Sequence, residues 1–229
     1  WNLPSHRLAF RGIAVSEANV PKNVDSGESE ESGSFFIRFA NGLLNETNRL
    51  VSDLLTSLGD IKQHQTMMKT AEWGAMDTES RKMVTEKLEE AEQTARHSAG
   101  LCLETVHMVN YLTTDEVIQK PFLQNVILPR LVSMIFNVIY SMSGAKSLDF
   151  KVDNMESYNF HPKEMLREVC EALLHVCASK EFCDAAVTDA FFKGGLPLSQ
   201  AITVVTKHSL MSPSDVAILR DFSQNLVSL

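Results

Sequence analysis

The sequence predicts an all-α protein, a solenoid of stacked helix pairs. Apolar residues recur at steps of three and four along most of the chain, prolines stand where helices would begin, and no run alternates with the period of a strand. With 229 residues, 44% hydrophobic and 22% charged, the chain is long enough to bury a core in one or two globular units.

Residues 1–34 form an opening segment. It starts Trp1, Asn2, Leu3, Pro4, with neither an initiator methionine nor a signal-peptide pattern, so the chain is expected to be cut from something longer. Within it, residues 24–34 hold four acids, no base and one apolar residue, a composition that predicts a flexible surface loop. From Phe35 an amphipathic helix is expected to reach about Met68, with Phe36, Ala40, Leu43, Thr47, Leu50, Leu54, Leu58 and Ile61 on one face. Asp77 or Thr78 would cap a second helix, whose seam steps through Val84, Leu88, Ala91, Ala95, Ser98, Cys102, Val106, Val109 and Leu112. The small residues at the start of that seam allow close approach, so the two helices are expected to pair antiparallel across a turn at Trp73 and Gly74.

Pro121 and Pro129 each suit the first turn of a helix, where a missing N–H costs nothing. Between Pro129 and Gly144, apolar residues leave almost no polar face, so that helix must be buried on most sides. Gly144 is placed for a left-handed cap with φ > 0, after which residues 151–160 should run extended until Pro162 starts another helix. Its inner face is Met165, Leu166, Val169, Cys170, Leu173, Val176 and Cys177. A shorter helix over residues 181–192 should stop at Gly194 and Gly195, a further one should follow Pro197, and Ser212, Pro213 and Asp215 should open the last. Successive pairs of this kind make an armadillo-like solenoid over residues 35–229, without a strict sequence period.

The net charge of −8 and the scattered basic residues exclude a phosphate-tracking surface, so no nucleic-acid partner is expected. The most apolar run, residues 126–142, is interrupted by Pro129, Arg130 and Asn137 and is not a membrane span, so no membrane partner is expected either. Cys102, Cys170, Cys177 and Cys183 lack the spacing of a disulfide framework or a zinc site, which fits reduced thiols in a cytosolic or nuclear protein. Glu104 and His107 have the i, i+3 offset of di-iron carboxylate bundles, but the nearest second pair, Glu171 and His175, has the wrong offset, so no metal is expected. His107 then reads as a side chain at the edge of the core. No phosphate-binding loop, zinc-protease string or nucleophile elbow occurs, and Cys170 and Cys177 fall on an apolar face, so no catalytic residue and no cofactor is expected.

Two blocks carry a more specific message. Residues 103–113 read L-E-T-V-H-M-V-N-Y-L-T; residues 144–146 read G-A-K, and residues 148–166 read L-D-F-K-V-D-N-M-E-S-Y-N-F-H-P-K-E-M-L. Together they resemble the core domain of the ubiquitin-chain elongation factors, the "E-four" class of U-box ubiquitin ligases. In that family an "E-T-V-x-M-x-x-Y-L-T" helix precedes a "G-P-K…L-K-V-x-N-P-E-x-Y-x-F-x-P-K-x-L-L" connector. The matching positions are Glu104, Thr105, Met108, Tyr111, Leu112, Gly144, Lys146, Lys151, Val152, Asn154, Tyr158, Phe160, Pro162 and Lys163. Residues 39–46 resemble the family's "F-x-N-x-L-I-N-D" helix, and Trp1 to Arg7 its upstream "W…P…R" turn. Ala145 and Met155 replace family prolines, and Asp189, Ala190, Phe191 and Phe192 stand where "D-G-R-S-Y" is expected.

The resemblance covers residues 35–176 well and implies a scaffold that positions ubiquitylated substrates for polyubiquitin chain extension in protein degradation, in the cytoplasm and nucleus. It implies as partners a ubiquitin-conjugating enzyme, recruited through a U-box, a valosin-containing-type segregase ATPase and shuttle proteins with ubiquitin-like domains. No part of the chain resembles a U-box, so it is expected to be the C-terminal part of the core, ending about where the linker to a U-box would start. The alternative is a non-enzymatic helical adaptor that keeps this core without a U-box. In either case Tyr158, Phe160 and Pro162 are expected to be structural, with both rings packed back over helices.

Overall fold

The computed structural model describes residues 27–143 and 152–228, with side chains from Phe35 onward. Nine α-helices and two short 3-10 turns lie among the described residues, and no strand. The helices are α1 (Gly27–Met67), α2 (Ala71–Ala75), α3 (Thr78–Thr113), α4 (Glu116–Phe122), α5 (Leu128–Ser143), α6 (Pro162–Val176), α7 (Lys180–Ala186), α8 (Leu196–Lys207) and α9 (Pro213–Val227); the 3-10 turns are Met155–Tyr158 and Lys193–Gly195.

All eight positions named for the inner face of α1, from Phe36 to Ile61, are buried. On α3 the seam is half-buried at Val84, Leu88 and Ala91 and fully buried from Ala95 onward. The pair packs along its length, joined by the short helix α2 where a plain turn was expected. The Thr70 side chain accepts from the Trp73 N–H, and the Asp77 side chain accepts from the Ser80 N–H to start α3.

Helix-to-helix registers define the stack. Asn137 on α5 donates to Asn48 on α1 at 2.8 Å, and Phe122, just before α5, meets Phe36 edge-on with centroids 5.5 Å apart. Partners therefore advance together, and α1 and α5 run parallel. In the second layer Cys102 lies 3.8 Å from Met165, His107 pairs with Glu168 and Thr113 with His175, at a separation of 61 to 63 residues throughout. Thus α3 and α6 are also parallel, and two antiparallel pairs, α1/α3 and α5/α6, lie side by side. Helix α8 packs on α5 and α6, and α9 on α8. Phe136 of α5 touches Phe182 of α7 and Phe192, and Phe182 touches Phe222 of α9, an aromatic chain that holds the last helices to the core.

Several expectations are corrected. Helix α1 begins at Gly27, so residues 27–34 are helical where a loop was expected. Extending a helix already nucleated is far less costly than starting one, and glutamate favours it, so a stretch with little apolar surface to bury is still helical. Pro121 sits near the end of α4 rather than in its first turn, because Asp115 caps the helix by accepting from the Val117 and Ile118 N–H groups. Helix α7 ends at Ala186, well short of Phe192, where the Asp189 carboxylate takes the Phe191 N–H at 2.8 Å and redirects the chain. The connector is not extended throughout: a 3-10 turn over Met155–Tyr158 is bracketed by Asn154 and Asn159 at φ 54° and 53°. Asparagine tolerates that left-handed region better than other residues with a Cβ. The expected cap at Gly144, with Lys146 and Lys151, lies outside the described residues, as does the turn at Trp1 to Arg7. Pro162 opens α6, and Ser212 caps α9 by accepting from the Asp215 N–H.

Candidate functional site

The family-like blocks converge on one place, the seam of α3 with α6 and the connector beside it. Leu112 and Val152 are buried; Met108 and Tyr111 are half-buried against the core; Glu104 and Lys163 are exposed. Thr105 donates to the Cys102 carbonyl at 3.0 Å, and Pro162 occupies the first turn of α6.

Tyr158 and Phe160 are 2% and 4% exposed, so both rings are core. The Tyr158 hydroxyl donates to Glu92 on α3 at 3.0 Å and accepts from Gln65 on α1 at 3.4 Å, while Arg96 lies over its ring. Gln65 also accepts the Asp153 N–H, and Lys69 pairs with Asp153 at 2.6 Å. The connector is thereby fastened to both helices of the first pair. Burial raises the Tyr158 pKa, and the neighbouring Glu92 carboxylate adds to the effect.

A polar cluster that the periodicity did not single out lies between α3 and α6. Glu168 is 4% exposed, a carboxylate on the apolar face of α6. It accepts from Asn110 at 2.6 Å and from Arg167 at 2.7 Å, and His107 Nδ1 stands 3.2 Å away. The His107 ring donates to this carboxylate in the tautomer that carries its proton on Nδ1. Asn110 gives its second hydrogen to Glu171 at 2.9 Å, and Arg167 bridges Glu168 and Glu171. Partial burial pulls the Arg167 pKa down, but the charges of Glu171, Glu168 and Glu164 outweigh it and hold it above its ordinary value. One turn further, Thr113 contacts His175 at 3.0 Å, and Gln119 donates to the His175 carbonyl. The available signal was a polar residue on each apolar stripe, Asn110 beside Val109 and Glu168 beside Val169.

These groups face one another and bridge two helices. Glu104 and His107 do not assemble a metal centre: His107 turns to Glu168, and among the described residues no group of three or more His, Cys, Asp or Glu is placed to hold a metal ion. Burial pushes the Cys102 and Cys170 thiols up to about 12, and raises Cys177 and Cys183, so all four are protonated at neutral pH and poor nucleophiles. Among the described residues no helix is long and apolar enough to cross a membrane.

Fold and site together define an all-α helix-stack protein whose buried polar groups brace one helix pair against the next. The chain belongs to the ubiquitin elongating factor core family, whose sequence model matches residues 1–227. It is 25% identical over 195 residues to the ubiquitin conjugation factor E4 of Schizosaccharomyces pombe, covering 85% of this chain and 19% of that protein. It is 29% identical over 170 residues to a probable ubiquitin conjugation factor E4 of Arabidopsis thaliana, covering 74% and 15% respectively. With the E4 ubiquitin-protein ligase UFD2 of Saccharomyces cerevisiae the identity is 27% over 205 residues, 88% of this chain and 21% of that one. The chain thus spans about a fifth of the length of these relatives, from 15% to 21%.

Proposed function

We propose that this chain is part of the armadillo-like scaffold core of a ubiquitin-chain elongation factor. It holds a ubiquitylated substrate close to a charged conjugating enzyme that a U-box elsewhere in the parent protein engages. Transfer is then accelerated by proximity: a scaffold raises the effective concentration of two bound reactants without supplying acid, base or nucleophile. The family match across residues 1–227 carries this reading, and the buried, protonated thiols agree with it. On the same reading the parent protein works in ubiquitin-dependent degradation in the cytoplasm and nucleus, beside a valosin-containing-type segregase ATPase and shuttle proteins with ubiquitin-like domains.

The test follows thioester discharge and substrate-chain length side by side. The isolated chain should neither discharge ubiquitin from a charged conjugating enzyme nor extend chains. Deleting residues 35–176 from a parent with an intact U-box should leave discharge largely unchanged and shorten the chains on a pre-ubiquitylated substrate. Acceleration of discharge by the isolated chain would overturn the reading, as would unchanged chain length after the deletion.

A further inference from the structure

Helices α8 and α9 enclose an open groove of about 460 Å³ at the far end of the stack. Its α8 wall runs Ser199, Thr203, Thr206 and Lys207, its α9 wall carries Arg220 and Gln224, and Ile202 lies between them. In a chain of net charge −8 the groove lining holds two cations and no carboxylate. Among the described residues neither Lys207 nor Arg220 is in an ion pair; Arg220 reaches only the Thr206 hydroxyl, at 3.4 Å.

The groove has a direction. Arg220 stands beside Thr206, whereas Val227 stands beside Gly195, where an added Cβ would come 2.8 Å from its Cγ2. The cations therefore share one end, and Leu196 and Val227, 61% and 63% exposed, share the other. Both continue the stripes of their helices, three residues before Ser199 and three after Gln224. The hydroxyls between are already oriented: Thr203 donates to the Ser199 carbonyl at 3.0 Å and Thr206 to the Ile202 carbonyl at 2.6 Å. Their oxygens are left as acceptors, the complement of peptide N–H groups.

We propose that this groove docks a short, extended acidic peptide segment that carries an apolar side chain about five residues from its acids. The spacing follows from geometry. Leu196 and Lys207 are eleven residues apart on one helix, roughly 16 Å at about 1.5 Å per residue, which an extended chain at about 3.3 Å per residue covers in about five. The acids meet Lys207 and Arg220, the backbone N–H groups meet the threonine oxygens, and the apolar side chain covers Leu196 and Val227. The proposal stands apart from the scaffold reading, and its test contains no ubiquitin, so either can fail alone.

The probe is a fluorescein-labelled, C-terminally amidated hexapeptide, Asp-Asp-Ser-Gly-Ser-Leu, titrated with the full chain and followed by anisotropy. Binding should weaken roughly tenfold in the double variant Lys207→Glu, Arg220→Glu, as expected when exposed ion pairs are replaced by repulsions. The swapped peptide Lys-Lys-Ser-Gly-Ser-Leu should recover binding to that variant, and Leu196→Ser should weaken the original peptide. Because both cations are exposed, unchanged circular dichroism is expected, and raising salt from about 0.05 to 0.5 M should weaken the wild-type complex independently of any substitution. Absence of binding at millimolar peptide would overturn the proposal and leave the cations as mere compensation for the negative end of α8. Salt-insensitive binding, or binding unchanged in the double variant, would overturn it equally. Displacement of the peptide by a tighter-binding single-stranded oligonucleotide would reassign the groove and overturn it too.

Discussion

Replacing Asn110 by alanine tests whether the polar seam holds α3 and α6 together. The side chain donates to Glu168 at 2.6 Å and to Glu171 at 2.9 Å, but the two losses are unequal. Glu171 is one-third exposed and keeps Arg167, so water replaces the missing donor at little cost. Glu168 is buried, and its Oε2 is left with His107 alone. Losing a hydrogen bond to a charged group costs about 1.5–3 kcal/mol when the group stays buried, and the small void adds a little. The expected loss is about 2–3 kcal/mol, read from urea unfolding by far-UV circular dichroism at pH 7. A double-mutant cycle with Glu168→Gln isolates the pair and should return a coupling of about 1–2 kcal/mol. A loss below about 0.5 kcal/mol, or strict additivity in the cycle, would refute the argument, because a buried carboxylate would then be indifferent to its donor.

Two further outcomes follow from local geometry. Tyr158 has a raised pKa, so the folded state keeps its phenolic proton after the unfolded chain has begun to lose it near pH 10. Its contribution is intact below that pH and is lost as pH rises through the folded value. Tyr158→Phe should therefore cost roughly 0.5–1.5 kcal/mol at pH 8 through the lost bond to Glu92, with the gap closing as pH rises through the folded value; parallel stability curves for the two proteins would refute this. Gly195 has φ +79°, so Gly195→Ala should cost about 1–2 kcal/mol by thermal melting, mostly from the backbone. The clash with Val227 involves an exposed side chain that can swing away, so adding Val227→Ala should restore only a minor part, and full recovery would mean that the backbone carries no strain.

The sequence by itself determined which residues form the core of each long helix. The stripe of α1 from Phe36 to Ile61, the nearly all-apolar face of α5 and the inner face of α6 from Met165 to Val176 are buried as the 3.6-residue period requires, because a helix's own geometry decides which side chains share a face; Cys177, just past the helix end, is half-buried. Caps at Asp77 and Ser212 and the start at Pro162 were legible for the same local reason. Lengths were not: α1 extends back to Gly27, and α7 stops early at the bend that the Asp189 side chain makes. Only the tertiary structure decided that α3 and α6 run parallel, and with that register it joined Asn110, His107, Glu168 and Glu171 from positions 58 to 61 apart in the chain. It also turned Tyr158 into a three-way contact with Gln65, Glu92 and Arg96, and set cations and apolar side chains at opposite ends of the α8–α9 groove. Periodicity fixes a face and says nothing of which other face will meet it; that choice belongs to packing, and the polar contacts between helices come with it.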